Sequence, residues 1–129
     1  MQEDLRINKA TVLAFQDLFS SSAESKIYVF LLDKKGVQSS DIVRGTRLHP
    51  STVRELLVRM YAQRVIVRKK LKNDHIGKNP YVYHAVSPLR LVKRYSKELE
   101  ERLNRIVALD DSCDSCGQRI RISFEEVDT

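Results

Sequence analysis

Residues 48–70 read LHPSTVRELLVRMYAQRVIVRKK, and within them a helical pattern gives way to a strand pattern. Pro50 suits a first helical turn, where its missing N–H is no loss, so a helix begins at His49 or Pro50. Val53, Leu56, Leu57 and Met60 fall on one face of that helix, leaving Ser51, Thr52, Arg54, Glu55 and Arg59 on the other. From Val65 the sequence becomes VIVRKKLK, then the polar NDHIGKNP, then YVYHAV. β-Branched and aromatic residues on both sides of an Asn/Asp/Gly/Pro segment predict a β-hairpin. Its ascending strand and loop are basic, with Arg68, Lys69, Lys70, Lys72 and Lys78.

Working outward toward the N-terminus, Ser39, Ser40 and Asp41 offer N-caps for a short helix with Ile42 and Val43 inward, ending near Gly45. Before it, Ser21 and Glu24 have capping-box spacing ahead of Ile27, Val29, Phe30 and Leu31, with Gly36 placed for a left-handed C-terminal cap. Leu5, Val12, Phe15 and Phe19 predict a first helix over residues 3–19. Toward the C-terminus, Ser87-Pro88 opens a long helix in which Val92, Ser96, Leu99, Leu103 and Ile106 recur at spacings of four and three. The expected organisation is an N-terminal helix (1–20), a central domain (21–87), a long helix (88–109), and a tail (110–129) that carries Cys113-Asp-Ser-Cys116-Gly.

Helix, short helix, turn, helix and hairpin, in that order, make a winged helix-turn-helix, a mainly α fold with a small β wing. The charge distribution agrees with it. Residues 44–97 hold 14 Lys/Arg against 2 Asp/Glu, a net +12, whereas residues 1–43 carry −1 and residues 98–129 carry −5. Clustered cations gain affinity for a polyanion by releasing its condensed counterions, which points to nucleic acid. No Gly-rich phosphate loop, nucleophile motif or cluster of acids marks an enzyme. The 129 residues suit one small core. No apolar run approaches the ~20 residues that span a bilayer, and the mixed charges of MQEDLRINKA are unlike a signal peptide, so a cytoplasmic location is expected.

The stretch 48–70 resembles the Leu-Ser-Pro-Ser-Thr-Val recognition helix and following wing of MarR-, ArsR- and TrmB-type transcriptional regulators. GKNPYVYHAVSP, residues 77–88, is similar to the wing of the archaeal TrmB-like regulators. In this chain His49 stands where those families usually have Ser or Thr, and Lys78-Asn79 replaces the Arg that precedes the wing proline. The resemblance covers about residues 22–90 and implies a transcriptional regulator that binds double-stranded DNA as a homodimer.

Chemistry then assigns the roles. Ser51 and Thr52 sit where a helix N-terminus meets phosphate. Arg54, one turn in, is the candidate for a base edge, most naturally guanine. Arg47 and Arg59 are candidate backbone clamps, because phosphates take half to two-thirds of protein–DNA hydrogen bonds. Glu55 either accepts from cytosine or pairs with Arg59 four residues on. Val92, Leu99, Leu103 and Ile106 supply either a two-fold helix interface or cover for the first helix. Cys113 and Cys116 resemble one knuckle of a zinc ribbon. Since a structural zinc takes four ligands, two subunits with parallel final helices would complete a shared site. A thiol–disulfide switch, a third ligand from His75 or His84, and idle cysteines are the alternatives. No domain for a small-molecule effector is evident. An alternative to the regulator is a general initiation factor resembling the TFE/TFIIE alpha subunit, which acts chiefly through protein contacts.

Overall fold

The computed structural model describes residues 9–71, 81–111 and 117–127. Among these lie five helices and a two-stranded antiparallel sheet: α1 (Lys9–Phe15), α2 (Ser22–Asp33), α3 (Ser39–Thr46), α4 (Pro50–Ala62), β1 (Ile66–Lys70), β2 (Tyr81–Ala85) and α5 (Pro88–Val107). They form two compact units, Met1–Ser87 and Pro88–Thr129. Among the described residues no helix is long and apolar enough to cross a membrane.

The core of the first unit is built around α2, where Ile27, Tyr28 and Leu31 are almost wholly buried. They are joined by Ile42 of α3, by Val53, Leu56, Leu57 and Met60 of α4, and by Ile66 and Tyr83 of the hairpin. The Tyr28 hydroxyl donates to the Val86 carbonyl at 2.5 Å, so the deepest ring of the core has its polar end satisfied. Phe15 and Phe19 pack on the Tyr28 ring with centroids at 5.3 and 5.1 Å. That aromatic cluster corrects the expected length of the first helix. α1 ends at Phe15, and Gln16, Asp17 and Leu18 donate to carbonyls three residues back, a tight turn that brings Phe19 down onto Tyr28.

Three other local features depart from expectation. The Ser21 hydroxyl caps α2 by accepting from the Glu24 N–H, but the Glu24 carboxylate does not return to the backbone. It accepts instead from the Ser20 and Ser21 hydroxyls at 2.5 and 3.2 Å, which satisfies one oxygen of a side chain only 1% exposed. The cap of α3 is Gln38, one residue before the serines, in a reciprocal box with Asp41. α3 also runs through Gly45 to Thr46. A Cβ on Gly45 would lie 2.0 Å from the Phe30 ring, so the glycine is there to let α2 and α3 approach and does not stop the helix.

The hairpin register pairs Ile66 with Ala85, Arg68 with Tyr83 and Lys70 with Tyr81. Val37 adds a bridge that the sequence did not announce: its N–H donates to the Tyr83 carbonyl at 3.3 Å and the Tyr83 N–H donates back at 2.8 Å. The linker after α2 thereby becomes a third rung of the wing, fixing the base of the hairpin to the core.

The second unit is α5 and the segment after it. Residues 118–127 adopt no regular helix or strand, yet they are tied to α5. Asn104 Nδ2 donates to the Ile120 carbonyl at 3.0 Å and Asn104 Oδ1 accepts from the Ile120 N–H at 2.7 Å. Glu100 accepts from the Ile122 N–H at 2.7 Å, and the Lys93 ammonium lies 5.6 Å from the Phe124 ring centroid. The tail therefore runs back along the helix, antiparallel to it.

Candidate nucleic-acid interface

α4 presents the face that its periodicity predicts. Val53, Leu56, Leu57 and Met60 are buried; Ser51, Arg54, Glu55 and Arg59 are exposed, and Thr52 is half-buried. The helix starts on His49, whose Nδ1 accepts from the Ser51 N–H at 3.2 Å and lies 2.8 Å from the Ser51 hydroxyl. Imidazole does here what the more usual Ser or Thr does, capping the helix through a ring nitrogen. Ser51 is thus already engaged by its own cap. Arg59 lies 3.5 Å from Glu55, an exposed pair that helical spacing favours.

Arg54 stands at the centre of this surface. Two clefts, of about 390 and 530 Å³, both have Ser39 and Arg54 in their walls. The smaller adds Arg44 and Pro50, and the larger adds Val58 of α4 and Arg68, Tyr81 and Tyr83 of the hairpin. The first turns of α3 and α4 and the root of the wing consequently converge on one arginine. Arg44, which the sequence did not single out, is held by a 2.5 Å ion pair to Asp41 and remains largely exposed.

Arg68 takes a different position from the other wing cations. Its guanidinium carbon lies 4.0 Å from the Tyr61 ring centroid and 4.3 Å from that of Tyr81, between the last turn of α4 and the start of β2. Burial raises the Tyr83 hydroxyl above its ordinary pKa, while the neighbouring Arg68 charge and a hydrogen bond from Arg68 act to lower it. A cation enclosed this way joins strand to helix. Lys69 and Lys70 of the same strand are exposed, while Lys72 and Lys78 lie outside the described residues.

Arg47 follows α3 in the left-handed conformation, with φ 61°, and its N–H donates to the Val43 carbonyl. Arg64 does the same after α4 at φ 62°: its N–H reaches Tyr61 O, and the Val65 N–H reaches Met60 O. These are helix C-terminal motifs that glycine ordinarily occupies, because a Cβ is strained there. Two arginines in glycine positions are a signal that sequence periodicity does not carry.

This arrangement of helices and hairpin is similar to known structures. One is a possible transcriptional regulator from Methanosarcina mazei Go1, with a TM-score of 0.64 at 14% identity over 81% of this chain and 91% of that one. Another is RV1404 from Mycobacterium tuberculosis, with a TM-score of 0.51 at 15% identity over 84% and 72%. A third is a mutant of MepR from S. aureus, with a TM-score of 0.50 at 14% identity over 82% and 78%. No family model and no curated protein matches the sequence. The fold is a winged helix-turn-helix. Within it α3 and α4 are the two helices of the motif, and β1 and β2 are the wing.

Of the residues expected in a two-fold interface, Val92 and Ile106 are exposed, and Leu99 and Leu103 are half-buried. Cys113 and Cys116 lie outside the described residues, as does His75. Among the described residues no group of three or more His, Cys, Asp or Glu is placed to hold a metal ion. His84, the other histidine considered as a third ligand, packs beside Gly36, where an added Cβ would lie 3.1 Å from its Cε1.

Proposed function

We propose that this winged-helix protein is a dimeric, sequence-specific DNA-binding transcriptional regulator, with α4 as the recognition helix. The observation that carries the reading is the outer face of α4: an arginine at the junction of α3, α4 and the wing, on a helix whose other face is fully committed to the core. In the major groove, Arg54 reads a base edge, with guanine O6 and N7 its best partner. Thr52 and the start of α4 meet a phosphate, joined by Ser51 when its hydroxyl turns from His49. Arg47 and Arg59 clamp the backbone on either side. Lys69 and Lys70, with Lys72 and Lys78 further along the wing, neutralise phosphates beyond the groove. Arg68, stacked on Tyr61 and Tyr81, holds the wing to α4 beside these cations.

The likeness to a possible transcriptional regulator supports this reading, as does the concentration of positive charge in residues 44–97. The sequence of the wing favours the TrmB-like branch. Val92, Leu99, Leu103 and Ile106 pair two copies, so that two recognition helices address two half-sites about one helical turn apart. Cys113 and Cys116 provide two thiolate ligands for a zinc ion.

The test compares Arg54→Ala with Lys70→Ala on a selected duplex and on random DNA. Arg54→Ala should lose about 1–3 kcal/mol on the selected site alone, and Lys70→Ala should weaken both and flatten the salt dependence. Equal losses on the two duplexes for Arg54→Ala would remove its readout role.

A further inference from the structure

The tail that folds back along α5 has the chemistry of an unpaired strand edge. Its anchors are Ile120 on Asn104 and Ile122 on Glu100. Four helical residues rise about 6 Å and two extended residues span about 6.6 Å, so the tail matches the helix step for step only if it is extended. The two anchored residues, Ile120 and Ile122, are half-buried, and Arg119, Arg121, Ser123, Phe124 and Glu125 are exposed. In an extended chain successive peptide groups point to opposite sides. With the N–H and C=O of Ile120 and the N–H of Ile122 directed at the helix, the N–H and C=O groups of Arg121 and Ser123 point away from it. No described residue bonds to them. Asn104, acting as a side-chain rung, closes one edge of the tail, and the other has no partner among the described residues.

The charges along this edge say what covers it. Arg119 and Arg121 precede Ser123, and Glu125 and Glu126 follow it. A segment that is basic in its first half and acidic in its second is complementary to itself when reversed, whereas parallel pairing would set like charges opposite one another. We infer that residues 119–127 pair antiparallel with the same residues of a second copy of this chain, about a two-fold axis at Ser123, which sets Arg121 opposite the partner's Glu125. The alternation of the peptide groups requires odd-numbered residues to face odd-numbered ones, and this register obeys it. Ile122 then lies opposite the partner's Phe124, so each side of the axis gains one ion pair and one apolar pair. Such pairing is strand addition between identical edges. The inference rests on the reading that the protein is a dimer. Because each tail runs antiparallel to its own α5, the axis that reverses the tails also reverses the helices, so this pairing goes with an antiparallel α5 seam and excludes a zinc site shared between parallel helices.

Sedimentation equilibrium of the full chain tests it, using wild type, Arg121→Glu, Glu125→Arg and the double exchange. Each single reversal places like charges together twice across the axis and should weaken dimerisation about tenfold, and the double exchange should return it to within about threefold of wild type. Single variants as tight as wild type, or a double exchange no better than either single one, would overturn the pairing while leaving a dimer through α5 intact. A wild-type chain that stays monomeric would remove the dimer reading and the pairing together. All three variants alter exposed side chains, and their helical circular dichroism should match that of wild type.

Discussion

The guanidinium of Arg68 lies 4.0 Å above the ring of Tyr61, tying the first strand of the wing to the last turn of α4. Tyr81 closes the other side at 4.3 Å, so one cation is shared by both strands and the helix. The angle between wing and helix determines whether both can meet one stretch of duplex, and this stack is well placed to set it.

Arg68→Ala should therefore destabilise the fold by about 1–2 kcal/mol and lower DNA affinity without changing base preference. Arg68→Lys should recover only part of the loss, since an ammonium cannot stack flat between two rings. Urea denaturation and binding to selected and random duplexes check both. An Arg68→Ala protein of unchanged stability that lost only salt-dependent affinity would make Arg68 an ordinary phosphate contact.

Gly45→Ala should cost about 1–3 kcal/mol, because its methyl group would fall within 2.0 Å of the Phe30 ring and force α2 and α3 apart. Adding Phe30→Leu should recover part of this by vacating the contact. The double-variant cycle in urea measures the coupling directly, and additive effects would contradict the packing argument.

Much of this could be read from the chain. The four apolar positions of α4 fix its buried face, and Pro50 with His49 places its start to within one residue. What escaped the sequence depends on partners distant in the chain. Gly45 reads as a helix stop because its reason, Phe30, lies on another helix. Val37 reads as linker because the strand it completes follows more than forty residues later. Arg68 reads as one more wing cation, since nothing local distinguishes a side chain stacked on Tyr61 and Tyr81 from Lys69 and Lys70 beside it. The first helix reads too long because Phe19 continues the helical spacing while the chain has already turned.

Arg47→Gly should separate stability from function. Removing a Cβ from a left-handed residue at φ 61° should stabilise the protein by about 0.5–1 kcal/mol, while the loss of the cation should weaken DNA binding. Thermal melting and duplex titration of the same sample read the two effects. A variant that melted higher and bound DNA as well as wild type would leave Arg47 with no role in the interface.

Replacing Cys113 and Cys116 with serine should abolish zinc binding and lower the melting temperature, because two thiolate ligands are lost. Elemental analysis with native mass spectrometry should find zinc in the wild type and none in the variant, and one zinc per two chains would mean parallel α5 helices and overturn the antiparallel tail pairing. A metal-free wild-type dimer would leave the cysteines outside the assembly.

The most direct measurement of the central claim is selection of bound sites from a randomised duplex library, followed by anisotropy titration of the enriched sequence across a range of salt. The account predicts a pseudo-palindrome with half-sites about 10 base pairs apart, a steep fall of affinity with salt, and loss of preference at one position per half-site in Arg54→Ala. A library that shows no enrichment, with weak binding that ignores both sequence and salt, would contradict it.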